Sequence, residues 1–127
     1  MAEIIRLGKF NIQPLEKEFG KLKTNDVIIT NERIEHIKKR HHEDFKLFEQ
    51  YGKQTIENPD IIIKDCKNKL TIFMIKKLPD TNLNVVARLI LDEDDENLIN
   101  SVMTFYRIRT KNLIKLENKN KVIYKCE

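Results

Sequence analysis

The chain is poor in the residues that mark fibrous or unstructured sequences. It has 3 glycines and 3 prolines in 127 residues, which excludes a collagen-like, repeat or low-complexity chain. No apolar run approaches the roughly 18 residues needed to cross a membrane. The longest candidate, residues 85–91, is broken by Arg88. The opening Met1-Ala2-Glu3-Ile4-Ile5-Arg6 lacks the basic start and long apolar stretch of a secretory leader, so a cytoplasmic location is expected. The 2 cysteines, Cys66 and Cys126, stand far apart with no C-x-x-C pair. That argues against a disulfide scaffold and against a structural zinc site. There is no phosphate-loop lysine signature, no G-x-G-x-x-G, no G-x-S-x-G and no Cys–His pair of familiar spacing. Nucleotide hydrolysis and serine or cysteine hydrolase chemistry are therefore without support.

What is present is enough for one compact domain. Hydrophobic residues make up 40% and charged residues 35% of the chain, and 24 Lys+Arg stand against 20 Asp+Glu for a net charge of +4. A single core and a heavily charged surface follow. The excess suits a polyanionic partner, and an ordinary lysine-rich surface gives the same figure.

The order of elements reads as α+β. A short strand at residues 4–7 turns at Gly8, and Pro14 opens a short helix that Gly20 closes. Residues 27–29 form a strand or an extended entry segment, and Thr30 or Asn31 starts a helix running to about His41. A second helix over residues 43–57 stops at Asn58-Pro59. Strands are then expected at 61–63, 70–77, 83–91 and 99–108, the last two separated by the acidic run 92–96. A short helix at 110–117 and a strand at 122–125 end the chain. Short connections predict N-terminal helices packed on a mainly antiparallel sheet of about four strands.

Three features carry possible chemistry. His36, His41 and His42 fall within seven positions, and histidine both takes and gives a proton near neutral pH. In a continuous helix His36 and His41 lie about 140° apart around the axis, and His42 would sit exposed at the helix's C-terminal end. The spacing H-x-x-x-x-H-H misses the i, i+4 ligand pattern of zinc proteases, so no metal and no cofactor is expected. Solvated or half-buried histidines are the plain alternative. Arg88 interrupts an apolar strand and shares a face with Val86 and Ile90. It either pairs internally, with Asp44 or Asp65, or contacts an anion through its bidentate fork. In the 99–108 strand, strict alternation puts Asn100, Val102, Thr104, Tyr106 and Ile108 on one face, where a hydroxyl and a phenol can bind a phosphate and stack a base. Lys76 and Lys77 fall on opposite faces, so only one reaches the same cleft; after Tyr106 the chain is basic and can track a phosphate backbone or be plain surface.

The stretch Val27-Ile28-Ile29-Thr30-Asn31-Glu32-Arg33-Ile34-Glu35-His36-Ile37-Lys38-Lys39-Arg40-His41 resembles the opening of phage and prophage nuclease domains of the barnase–EndoU–colicin–RelE superfamily. So do Glu57-Asn58-Pro59-Asp60, Leu83-Asn84-Val85-Val86-Ala87-Arg88 and Asn100-Ser101-Val102-Met103-Thr104-Phe105-Tyr106. The likeness covers residues 26–125, with 1–25 as a strand/helix extension of one domain, residues 1–127. It implies a toxin-like or phage-derived, metal-independent endoribonuclease in which the substrate's 2′-hydroxyl is the nucleophile. On that implication His36 or His41 is the acid/base group, Arg88 clamps the phosphate, and Lys76, Thr104 and Tyr106 contact the substrate. RNA, tRNA among the candidates, is the implied partner, with a protein inhibitor or phage protein beside it and no membrane. Many relatives carry a tryptophan near the position of Tyr106, and this chain has none. The alternative is a catalytically inactive RNA- or protein-binding module of the same fold.

Overall fold

The computed structural model describes residues 3–94 and 97–126. Asp95 and Glu96 of the acidic run lie outside the described residues, as do Met1 and Ala2 of the opening and Glu127. In chain order the elements are β1 (Ile4–Lys9), α1 (Ile12–Phe19), β2 (Asp26–Thr30), α2 (Asn31–Arg40), α3 (His42–Glu57), β3 (Ile61–Lys64), β4 (Thr71–Lys77), β5 (Asn82–Arg88), β6 (Asn100–Ile108), α4 (Thr110–Lys119) and β7 (Lys121–Lys125). No described helix is long and apolar enough to cross a membrane.

Helix ends follow the local chemistry. Asn11 caps α1, Pro14 sits in its first turn, and Gly20 at φ +97° ends it by donating to the Glu16 carbonyl. The Thr30 hydroxyl accepts from the Arg33 N–H at 3.2 Å and so turns β2 directly into α2. Helix α2 stops at His41, whose backbone (φ −137°, ψ 67°) lies outside the helical region. The next helix starts one residue later, so His42 occupies the first turn of α3 rather than a helix C-terminus. The cations at the end of α2 are Lys38, Lys39 and Arg40.

All seven strands join one sheet in the order β1-β2-β6-β5-β4-β3-β7. Strands β3 to β6 form the antiparallel meander that the short connections predict. The expected count of about four is corrected to seven. Helices α1 and α4 connect the outer strands, so no tight-turn signal announces their pairing: β1 pairs with β2, and β7 pairs with β3. Strand β2 lies parallel to β6, which makes the sheet mixed. Within the N-terminal extension, Phe10, Leu15 and Leu22 are buried in the main core.

The two faces of the sheet are covered unequally. On one, Leu15 of α1, Ile37 of α2, and Phe48 and Ile56 of α3 join Val27, Ile62, Met74, Val85 and Phe105 in one apolar cluster. Phe48 stacks on Phe105 with ring centroids 3.9 Å apart. On the other face Leu113 of α4 packs with Ile61, Ile63, Ile75 and Ile108, and Tyr106 lies against this smaller cluster. Hence the run Ile61-Ile62-Ile63: its outer residues face α4 while its middle one faces the main core.

Candidate functional site

Strand β6 does not keep strict alternation. Val86 pairs with Thr104 but Ala87 pairs with Val102, so Met103 is an extra residue, a β-bulge. The bulge sends Val102 into the main core with Phe105, leaves Thr104 and Tyr106 on the opposite face, and returns Ser101 to that same face. The placement of Val102 beside Thr104 is therefore corrected. Val102 and Phe105, both core residues, are three positions apart, an odd spacing that a regular strand cannot bury on one side. That spacing is the sequence signal for the bulge.

Arg88 ends β5 on the Thr104 side, paired across to Ser101 on β6 and Thr71 on β4. Ser101 in turn pairs with Ile28, and Ile28 with Arg6. Arg6, Ile28, Ser101, Arg88 and Thr71 therefore form one row across five strands. The two guanidinium-bearing positions are about 14 Å apart at the backbone, three strand spacings. Arg6 and Arg88 are exposed, and among the described residues neither guanidinium has an ion pair or hydrogen bond. Thr104 forms the next row with Val86, and Tyr106 the one after with Asn84. Arg6, Ser101 and Thr71 escaped the sequence reading because cross-strand rows depend on register, which the chain order does not show.

Both internal partners considered for Arg88 are engaged elsewhere. Asp44, at the start of α3, accepts from Arg107 Nε at 2.6 Å. Asp65 sits in the β3–β4 turn. Its burial acts to raise its pKa, but the Asn68 amide at 2.9 Å and the N–H groups of Lys67 and Asn68 outweigh it and hold the carboxyl below its ordinary value.

The remaining expected residues lie elsewhere. Lys76 pairs across to Leu83, on the main-core side, and its ammonium reaches the Asn58 carbonyl at 3.0 Å and Asp60 at 3.8 Å. Its neighbour Lys77 is the one on the Arg88 side, paired with Asn82. His36 is exposed on α2 and lines a polar hollow of about 280 Å³ with Thr30, Glu32 and Arg33. The residues lining this hollow belong to the β2–α2 junction and to α2, which packs on the main-core side through Ile37. His41 is exposed at the α2–α3 junction, outside the helix, so the 140° relation to His36 does not apply. The basic C-terminal stretch is folded rather than a free tail: Lys121 binds Glu18 at 2.9 Å and Lys125 binds Glu117 at 3.4 Å. Among the described residues no three His, Cys, Asp or Glu side chains gather in a metal-holding group.

The family described as phage-Barnase-EndoU-ColicinE5/D-RelE like nuclease3 matches residues 6–115. The chain belongs to this family. No curated protein and no solved structure gives a match. In this member of the nuclease family, the matched span takes in β1 to β6, all of the cross-strand rows just described and the His36 hollow. A nuclease must hold a phosphodiester, and this side of the sheet offers two guanidiniums unpaired among the described residues, that of Arg88 flanked by Ser101 and Thr71.

Proposed function

We propose that this nuclease acts on RNA, as a metal-independent endoribonuclease working on the sheet face that carries Arg6, Arg88, Ser101, Thr104 and Tyr106. The observation that carries the reading is Arg88, an exposed arginine without an ion pair among the described residues, flanked across the strands by Ser101 and Thr71 in a chain of nuclease ancestry. Its fork holds the scissile phosphate, and Arg6 takes a neighbouring phosphate. A base removes the proton of the 2′-hydroxyl and that oxygen attacks phosphorus. The bond to the 5′-oxygen breaks, and an acid returns a proton to the leaving oxygen. The products are a 2′,3′-cyclic phosphate and a free 5′-hydroxyl. His36, in its hollow beside the end of β2, and His41, at the helix junction, are the proton carriers. Tyr106 supplies an aromatic surface for a base.

Labelled RNA incubated with the protein in EDTA tests this. Cleavage leaving 2′,3′-cyclic ends, reduced about 100-fold or more in His36→Ala or His41→Ala, supports it. RNA that is retained by the protein without any product overturns catalysis and favours a binding module.

A further inference from the structure

Asn84 stands in the middle of β5, wholly buried, and neither its Oδ1 nor its Nδ2 has a hydrogen-bond partner. Buried polar groups are nearly always paired, and an unpaired carboxamide costs free energy on both its donor and its acceptor side. The neighbouring buried asparagines show what this fold does otherwise. Asn100 donates to the carbonyls of Thr24 and Asp26 and accepts from the Ile90 N–H, all within 2.9 Å. Asn82 donates to the Ile108 carbonyl at 2.9 Å. Asn84 alone among these three is left with nothing.

Its position gives the vacancy a use. Asn84 lies directly across from Tyr106, and on its other side from Ile75. Side chains so paired stand about 5 Å apart. Tyr106 is half-buried and rests on the small cluster under α4, not in the main core. Arg88 lies four residues further along the same strand and on the same face, about 13 Å away at the backbone. An arginine stem and one nucleotide together can bridge that span.

We infer that Asn84 is a specificity residue of this nuclease, which reads a nucleobase edge when Tyr106 swings from its cross-strand position to stack on that base. The inference rests on the nuclease reading and deepens it. With Arg88 holding the phosphate, the base reaches towards Tyr106. The ring's movement uncovers the carboxamide, whose adjacent donor and acceptor match any base edge that presents one of each. The unmet hydrogen bonds of the free protein are those made in the complex. The ligand class is a nucleotide with its base turned towards the sheet and its phosphate towards Arg88.

The test is a titration of the ¹⁵N-labelled full chain with each of the four nucleoside 3′-monophosphates, following the Asn84 side-chain amide signals. The expected result is a shift of those signals with one base at least tenfold tighter than with the weakest. Asn84→Leu, close in size, should abolish the preference, while Arg88→Ala should weaken all four nucleotides alike. Amide signals that do not move, as a buried water held by Asn84 would give, overturn the inference, and so does an Asn84→Leu protein that keeps the preference. Base-selective shifts in a protein that cleaves no RNA uphold the Asn84 site and overturn the nuclease reading. RNA cleavage with unchanged base preference in Asn84→Leu does the reverse.

Discussion

The same strands present two different surfaces. Towards α1, α2 and α3 they show Val27, Ile29, Ile62, Met74, Val85 and Phe105, closed over by Phe48 and Ile56. Towards the other side they show an apolar end under α4 and then Arg88, Ser101, Thr104 and Tyr106, with Asn84 unpaired among them. Asn100 sharpens the contrast: it is as buried as Asn84, yet its three hydrogen bonds tie β2 and the chain after β5 onto β6. One surface spends its groups on holding the fold, and the other leaves them available. On the proposed function, stability and ligand recognition fall on opposite sides of one sheet, so substitutions on the two sides should fail in different ways.

The largest effect should come from the closed side. Phe48→Ala removes a ring stacked on Phe105, and core Phe→Ala changes cost about 3–5 kcal/mol, to be read as a lower urea midpoint at unchanged slope. The next concerns the open side. Arg88→Ala should lower RNA cleavage about 100-fold, the scale of removing one preorganised charge-stabilising donor. Its unfolding free energy should stay within about 0.5 kcal/mol of the parent's, since this exposed arginine has no side-chain partner among the described residues. An Arg88→Ala protein as unstable as Phe48→Ala would break the division between the faces.

A smaller loss is expected for Asn100→Leu, which leaves the carbonyls of Thr24 and Asp26 and the Ile90 N–H without their partner. About 2 kcal/mol of stability should go, measured by thermal unfolding. The smallest effect is one of pH. The Lys121 and Lys64 ammoniums, bound to Glu18 at 2.9 and 3.1 Å, hold its carboxyl below its ordinary value of 4.5. A lowered carboxylate stabilises the fold above its unfolded-state pKa, and that contribution disappears as pH falls through the folded value. Stability should thus begin to decline below about pH 4.5, and Glu18→Gln should flatten the early part of that decline in an acid titration followed by circular dichroism.

Much of the fold could be read along the chain because its signals are local. Pro14 with Gly20, Thr30 before α2, and Asn58-Pro59 after α3 each act on the few residues beside them, and each falls where an element begins or ends. What could not be read depends on distant partners. The pairing of β7 with β3 and of β2 with β6 joins segments separated by whole helices, so the sequence shows the strand segments but not that all seven share one sheet. The same limit governs the site. Arg88, Thr104 and Tyr106 were visible as chemistry within their own strands, whereas Arg6, Ser101 and Thr71 matter only through the row they share with Arg88. Which of Lys76 and Lys77 faces Arg88 depends on the side to which β4 turns, and the structure puts Lys76 against Asp60 on the closed side. The break between the two helices falls close to where the sequence puts it, but it leaves His41 outside helical geometry and His42 inside α3, a shift of one residue that local signals do not fix.

The central claim, that the open face of the sheet is where RNA is cut, is tested most directly by one comparison. End-labelled RNA is incubated in EDTA with the parent protein, with Arg88→Ala and with Glu18→Gln, the last a surface ion-pair change on the α1 side. The account predicts cleavage to 2′,3′-cyclic phosphate ends by the parent and by Glu18→Gln at similar rates, and about 100-fold slower cleavage by a fully folded Arg88→Ala. Equal cleavage by all three, or none by the parent, would contradict it.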